Sequence, residues 1–184
     1  MGTLVRRAGI ALLVVVLGCL FTLAQKDVPA KESAPDVPDA IAVPVGLEPV
    51  LFVRASGSQI YTCQAGDDGK LSWTLKAPEA DLKDRNDKVI GQHSAGPTWK
   101  LKDGSEVTGK AVAHVDSLDP DSIPWLLVNV VSNSGKGVLA KVTTIQRVHT
   151  HGGKPGNDPC DESHKGAETK SDYRADYYFF SPAK

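Results

Sequence analysis

The sequence predicts an all-β fold: a single antiparallel β-barrel or sandwich of about nine or ten strands, connected mostly as a hairpin meander. Three observations carry this. The composition is turn-rich, with 17 Gly and 12 Pro against 6% aromatics and one Met. Short runs of alternating apolar and polar residues recur between turn signals. Several turns are three-residue loops closed by Gly, a type I turn followed by a left-handed residue that fixes hairpin register. Helix signals are nearly absent; the exception is Asp158-Pro159-Cys160-Asp161, where Asp and Pro suit the start of a short helical turn.

Along the chain, residues 1–24 read as a secretory signal peptide. Arg6 and Arg7 precede the apolar run Ile10 to Leu17, and small residues lead to a cleavage point before Gln25. Two alternatives are a retained single-span anchor, for which the apolar run is short, and a lipoprotein box at Val16-Leu17-Gly18-Cys19 with lipid on Cys19. Residues 25–43, rich in Pro, Ala, Asp and Lys without periodicity, read as a flexible linker. Residues 44–184 form the expected β domain, and the destination is a secreted or periplasmic space.

Within that domain, Val50–Val53 is a β-rich run that Gly57 is expected to break. The Asp67-Asp68-Gly69 turn then pairs Cys63 with Trp73, Tyr61 with Leu75 and Ala65 with Leu71. Arg85-Asn86-Asp87 is expected to set Leu82 opposite Ile90. Lys102-Asp103-Gly104 sets Trp99 opposite Val107 and Lys100 opposite Glu106. Asn133-Ser134-Gly135 is expected to set Val130 opposite Val138, Val128 opposite Ala140 and Leu126 opposite Val142. Long strands are expected at 105–115 and 137–148, with a last one at 175–180.

Charge narrows the function classes. The formal net charge is −1; without Arg6 and Arg7 it becomes −3, so a basic nucleic-acid-binding surface is not expected. In an exported chain Cys63 and Cys160 predict a disulfide holding the irregular segment 152–172 against the second strand of the body. A weaker alternative gathers His149, His151, Cys160 and His164 as metal ligands, although their spacing matches no zinc motif. No Ser stands in a nucleophile elbow and no phosphate-cradling loop is present. No cofactor is expected.

The best candidate ligand surface is His93, Trp99, Trp125, Gln146 and Arg147, an Arg among aromatics suited to a small polar or glycan-like ligand at a barrel mouth. The competing reading puts both Trp residues in the core and pairs Arg147 with an acid. Two function classes follow. One is an exported, monomeric, non-enzymatic domain binding a small ligand or an envelope protein. The other is a hydrolase or metal-dependent enzyme using His93, His149 and His151.

Several segments carry a further signal: Gln59-Ile60-Tyr61-x-Cys63, His93-x-Ala95-Gly96-Pro97-Thr98-Trp99 and Ile123-Pro124-Trp125-Leu126-Leu127. Ile145-Gln146-Arg147-Val148-x-Thr150-x-Gly152-Gly153-Lys154-Pro155, Cys160 and Tyr173-x-Ala175-Asp176-Tyr177-x-Phe179 complete it. Over residues 44–181 the chain resembles a domain-of-unknown-function family of secreted bacterial and fungal proteins, with Ser94 where the family pattern carries Tyr. The resemblance implies no established activity and transfers no functional residues. Some fungal members bear a malate-dehydrogenase label, yet this chain has neither βαβ alternation nor a G-x-G-x-x-G turn.

Overall fold

Eight antiparallel strands join edge to edge into a closed barrel. They are β1 (Leu47–Ala65), β2 (Leu71–Lys83), β3 (Val89–Ser94), β4 (Thr98–Leu101), β5 (Glu106–Val115), β6 (Trp125–Ser134), β7 (Thr144–Gly152) and β8 (Glu168–Pro182). The computed structural model describes residues 32–183 and Gly2. The signal-peptide, anchor and Cys19 readings, and the first part of the linker, fall outside these residues. Closure comes from β1, which pairs with β2 through Arg54–Ala65 and with β8 through Leu47–Thr62. It decides barrel over sandwich, although the stretch of β2 before Ala80 keeps one side unpaired.

Strand count is eight rather than nine or ten, and the break expected at Gly57 is absent. Gly57 lies inside β1: a Cβ there would sit 2.1 Å from the Glu79 carbonyl oxygen, so this glycine permits close strand approach instead of ending a strand. Pro78 likewise sits within β2, on the stretch before Ala80 that has no pairing to β3.

Register follows the turn chemistry in two hairpins and departs from it in two. Cys63 faces Trp73, Tyr61 faces Leu75 and Ala65 faces Leu71. Trp99 faces Val107 and Lys100 faces Glu106. Gly69 and Gly104 adopt φ values of 74° and 87°, the left-handed geometry that this loop requires. At the Arg85 turn a bulge makes Leu82 pair with Gly91 rather than Ile90.

The expected strand at 137–148 is replaced by a 3-10 helix, Val138–Lys141, followed by β7. Leu139 and Val142 are thereby both buried, whereas strand alternation would have put Leu139 outside with Val138 and Val142 inside. Polar bonds fix the turn: the Asp103 carboxylate accepts the Val138 N–H at 2.9 Å, and Asn133 Nδ2 donates to the Leu139 and Val142 carbonyls at 2.9 Å each. Consequently Leu126 pairs with Arg147 and Val128 with Ile145. The short helical turn expected at Asp158 is also absent; the chain turns just after it, with Asp161 Oδ1 accepting the Ser163 N–H at 2.9 Å.

Inside, Val53, Leu82, Leu101, Val107, Ile145, Tyr177 and Phe179 form a buried core. The linker's second half is drawn onto the barrel, so the ordered body begins before residue 44. Asp39–Ile41 forms a 3-10 turn, Ile41 is fully buried, and its carbonyl accepts Gln146 Nε2 at 2.7 Å.

Cys63 and Cys160 are bonded, with Cα atoms 5.4 Å apart, within the range a disulfide needs. Segment 153–167 is further stitched to β1 and β2. The Cys63 N–H donates to Ala167 O at 2.9 Å, Trp73 Nε1 to Asp158 O at 2.8 Å, and the Tyr61 hydroxyl to Gly153 O at 2.6 Å. Segment 153–167 thus folds back over the face of the sheet that carries Trp73. Among the described residues no helix is long and apolar enough to cross a membrane.

Candidate binding cavity

The barrel interior holds a cavity of about 230 Å³ to which all eight strands contribute. Its floor is Gln59 from β1, His93 from β3, Trp99 from β4, Val128 from β6, Arg147 from β7 and Tyr177 from β8, each buried. Its mouth is lined by Leu75, Lys76, Gly96, Pro97 and Ala111, all exposed. The mouth lies where β2 runs past the end of β3, so the stretch of β2 without a second partner becomes the rim. Gly109 makes room beneath: a Cβ there would come within 3.1 Å of the Trp99 ring and 2.5 Å of Val128.

His93 and Trp99 form one stacked unit, with ring centroids 4.4 Å apart and planes 12° from parallel. Tyr177 meets both rings edge-on. His93 Nδ1 lies 2.8 Å from the Thr98 carbonyl, which can only accept, so Nδ1 carries the proton and Nε2 is the acceptor. Burial pushes the His93 pKa down to about 4, and the nearby Arg147 charge pushes the same way, so the ring is neutral at ordinary pH.

The cavity is polar in an unusual respect. Gln59 is 1% exposed and neither its amide nitrogen nor its amide oxygen has a hydrogen-bond partner. Trp99 Nε1 also lacks one. The Tyr177 hydroxyl is electrostatically coupled to Arg147 and Tyr173, but it makes no well-formed bond with either. Burial raises the pKa of both tyrosines. Buried polar groups in folded proteins are almost always paired, so such a cluster calls for an explanation.

Three of the five expected ligand residues, His93, Trp99 and Arg147, meet here. Trp125 and Gln146 do not line the cavity. Successive residues of a strand point to opposite faces: Leu126 and Arg147 face in, so their neighbours Trp125 and Gln146 face out. Gln146 is taken up by the Ile41 carbonyl, and Trp125 lines an outer hollow with Pro38 and Leu118, its ring edge-on to His149. Gln59 and Tyr177 are functional candidates that the sequence reading missed. The available signal for Gln59 was its period-two spacing with the inward residues Tyr61 and Cys63.

The histidines proposed for catalysis do not share a cavity: His93 lies inside, while His149 and His151 line an exposed groove with Arg54, Asp87 and Arg174. His149 Nδ1 bonds Asp176 at 2.9 Å, His164 Nδ1 bonds Asp161 at 2.8 Å, and the Cys160 sulfur is committed to Cys63. The four residues of the metal alternative are thus otherwise engaged or apart, and no group of three or more His, Cys, Asp or Glu among the described residues is arranged to hold a metal ion.

Fold and site together define a small closed β-barrel with a polar-floored internal cavity. Residues 44–181 match the family described as "Protein of unknown function (DUF3455)", and the chain belongs to that family. No curated protein matches the chain, and no solved structure does.

Proposed function

We propose that this protein is an exported, non-enzymatic binding protein whose barrel interior takes a small polar ligand through the mouth between β2 and the β3–β4 turn. The observation that carries the reading is Gln59, whose amide is 1% exposed, lines the cavity and has no partner within the protein. Leaving a buried polar group unpaired costs roughly 1–3 kcal/mol, and a ligand that pairs with it recovers that stability. Export is supported by the signal-like leader and by a disulfide that suits an oxidising compartment. The cavity volume of about 230 Å³ favours a small molecule over an oligosaccharide or a protein loop, being below the ~300 Å³ at which drug-sized sites begin.

Two measurements test this. Intact-mass analysis of the exported fraction is expected to show loss of residues 1–24; a lipid-modified Cys19 would overturn soluble export. Trp99 fluorescence, isolated by Trp73→Phe and Trp125→Phe, is expected to respond to small polar molecules. A signal indifferent to a broad metabolite panel rejects the cavity as the binding site.

A further inference from the structure

We propose that the ligand is a small monocarboxylate, anchored by its carboxylate on Arg147 with a compact apolar body against Leu126, Val128 and Pro97; this rests on the barrel interior being the binding site. Arg147 is 8% exposed, and its Nε and Nη2 both donate to the Pro124 carbonyl, at 3.2 and 2.9 Å. That carbonyl engages two of the guanidinium's five N–H donors and offsets none of its charge. No carboxylate of the described residues is paired with Arg147, and no residue lining the cavity is acidic. A buried cation without a counter-charge is costly, and an anionic ligand is the direct remedy.

The neighbours suit the same group. The Gln59 amide nitrogen and Trp99 Nε1 are donors without partners, and the Tyr177 hydroxyl is a third. A carboxylate accepts at about four lone-pair sites, enough for the guanidinium and these donors together. The charge to be matched is single, because Lys76 at the mouth is paired with Glu168 and His93, with its pKa near 4, adds none.

Size and lining set the remainder of the molecule. About 230 Å³ is the room of roughly eight waters at ~30 Å³ each. Leu75, Pro78, Pro97, Leu126 and Val128 give the walls little to offer a strongly hydrated dianion such as phosphate. An aromatic or branched aliphatic acid of the size of benzoate or isovalerate fits both limits.

The test is calorimetric titration of the full chain, expressed with its leader, using sodium benzoate against benzamide and isovalerate against isovaleramide. At least one acid is expected to bind roughly tenfold or more tightly than its amide. Arg147→Gln is expected to erase that ratio, and Arg147→Lys to retain part of it because the charge survives. If Arg147→Gln does not fold, the wild-type acid-to-amide ratio decides alone. Equal binding of acid and amide overturns the carboxylate assignment and leaves the cavity reading intact. Absence of heat and of any Trp99 response for all four probes overturns both.

Discussion

The two halves of the barrel interior solve the burial problem in opposite ways. In one, Phe179, Leu139, Val142, Ile145 and Val107 are all at most 1% exposed and hydrocarbon meets hydrocarbon. In the other, Gln59, His93, Trp99, Arg147 and Tyr177 are nearly as buried, but they surround a cavity and keep polar atoms unpaired. The strands are the same, and neighbouring inward positions on β7 and β8, Ile145 to Arg147 and Phe179 to Tyr177, cross from one regime to the other. The dry half stabilises the fold and leaves the polar half free to carry chemistry that stability alone does not call for.

The largest effects are expected in the dry half. Phe179→Ala removes a fully buried ring that meets Trp99 edge-on and is expected to cost about 3–5 kcal/mol in denaturant unfolding. A loss near 1 kcal/mol would show that this end is as loosely filled as the other and dissolve the contrast. The disulfide comes next. Its closed loop spans 97 residues, for which the chain-entropy account gives about 4.7 kcal/mol. Cys160→Ser is expected to lose most of that and to expose segment 153–167 to proteolysis, while the far-ultraviolet circular dichroism of the sheet stays unchanged. Two free thiols in unfolded, unreduced wild-type protein would reject the bridge outright.

The polar half is expected to respond to acid first. The folded-state pKa of His93 is about 4, depressed below the ordinary value of 6.5. Its contribution is therefore complete above pH 6.5 and is lost as pH falls towards 4, because only the unfolded chain binds the proton in that window. The gap corresponds to about 3 kcal/mol at 1.36 kcal/mol per pH unit. Urea melts of wild type and His93→Gln between pH 7 and pH 4 measure it: the wild-type curve is expected to fall and the variant curve to stay flatter. Parallel curves would place His93 in contact with solvent and remove it from the buried set. The carboxylates with lowered pKa values, Glu79, Asp103, Asp119 and Asp161, lose their contributions from the ordinary carboxylate range downward, and the His93→Gln comparison isolates the imidazole's share above it.

The same contrast explains what could be read from the chain. Hairpins were legible where the turn residues and the alternating pattern agreed, as at Asp67-Asp68-Gly69 and Lys102-Asp103-Gly104. Gly135 adopts the same left-handed geometry, φ 72°, yet the pairing there failed. Burying both Leu139 and Val142 called for a 3-10 turn, and the Asp103 carboxylate that holds that turn lies in another hairpin, invisible to local pattern. Gly57 misled for a similar reason, since the close approach of Ala80 that requires it is a long-range fact. In the site, Arg147 and His93 were recognisable as chemistry. The grouping of Gln146 with Arg147, and the inclusion of Trp125, ignored the alternation that had served well elsewhere. Tyr177 could not be assigned to the site without β8's register against β7.

The smallest predicted change in stability has the opposite sign and separates the two halves most directly. Gln59→Leu exchanges an amide for a hydrocarbon of similar size at a position that is 1% exposed. In an ordinary core a buried Gln is hydrogen-bonded, and its replacement strands the partner at a cost of roughly 1–3 kcal/mol. Here neither amide atom has a partner to strand. The substitution removes two unpaired polar atoms from the cavity floor, so the free protein is expected to become more stable by up to about 1 kcal/mol. Ligand affinity is expected to move the other way, because a donor and an acceptor leave the chamber. Thermal melts of the ligand-free protein, paired with benzoate titrations, read both quantities from one variant. A destabilisation above about 1 kcal/mol would mean that the protein itself engages the Gln59 amide. The polar half of the barrel would then be structural, and its difference from the dry half would be one of composition and not of purpose.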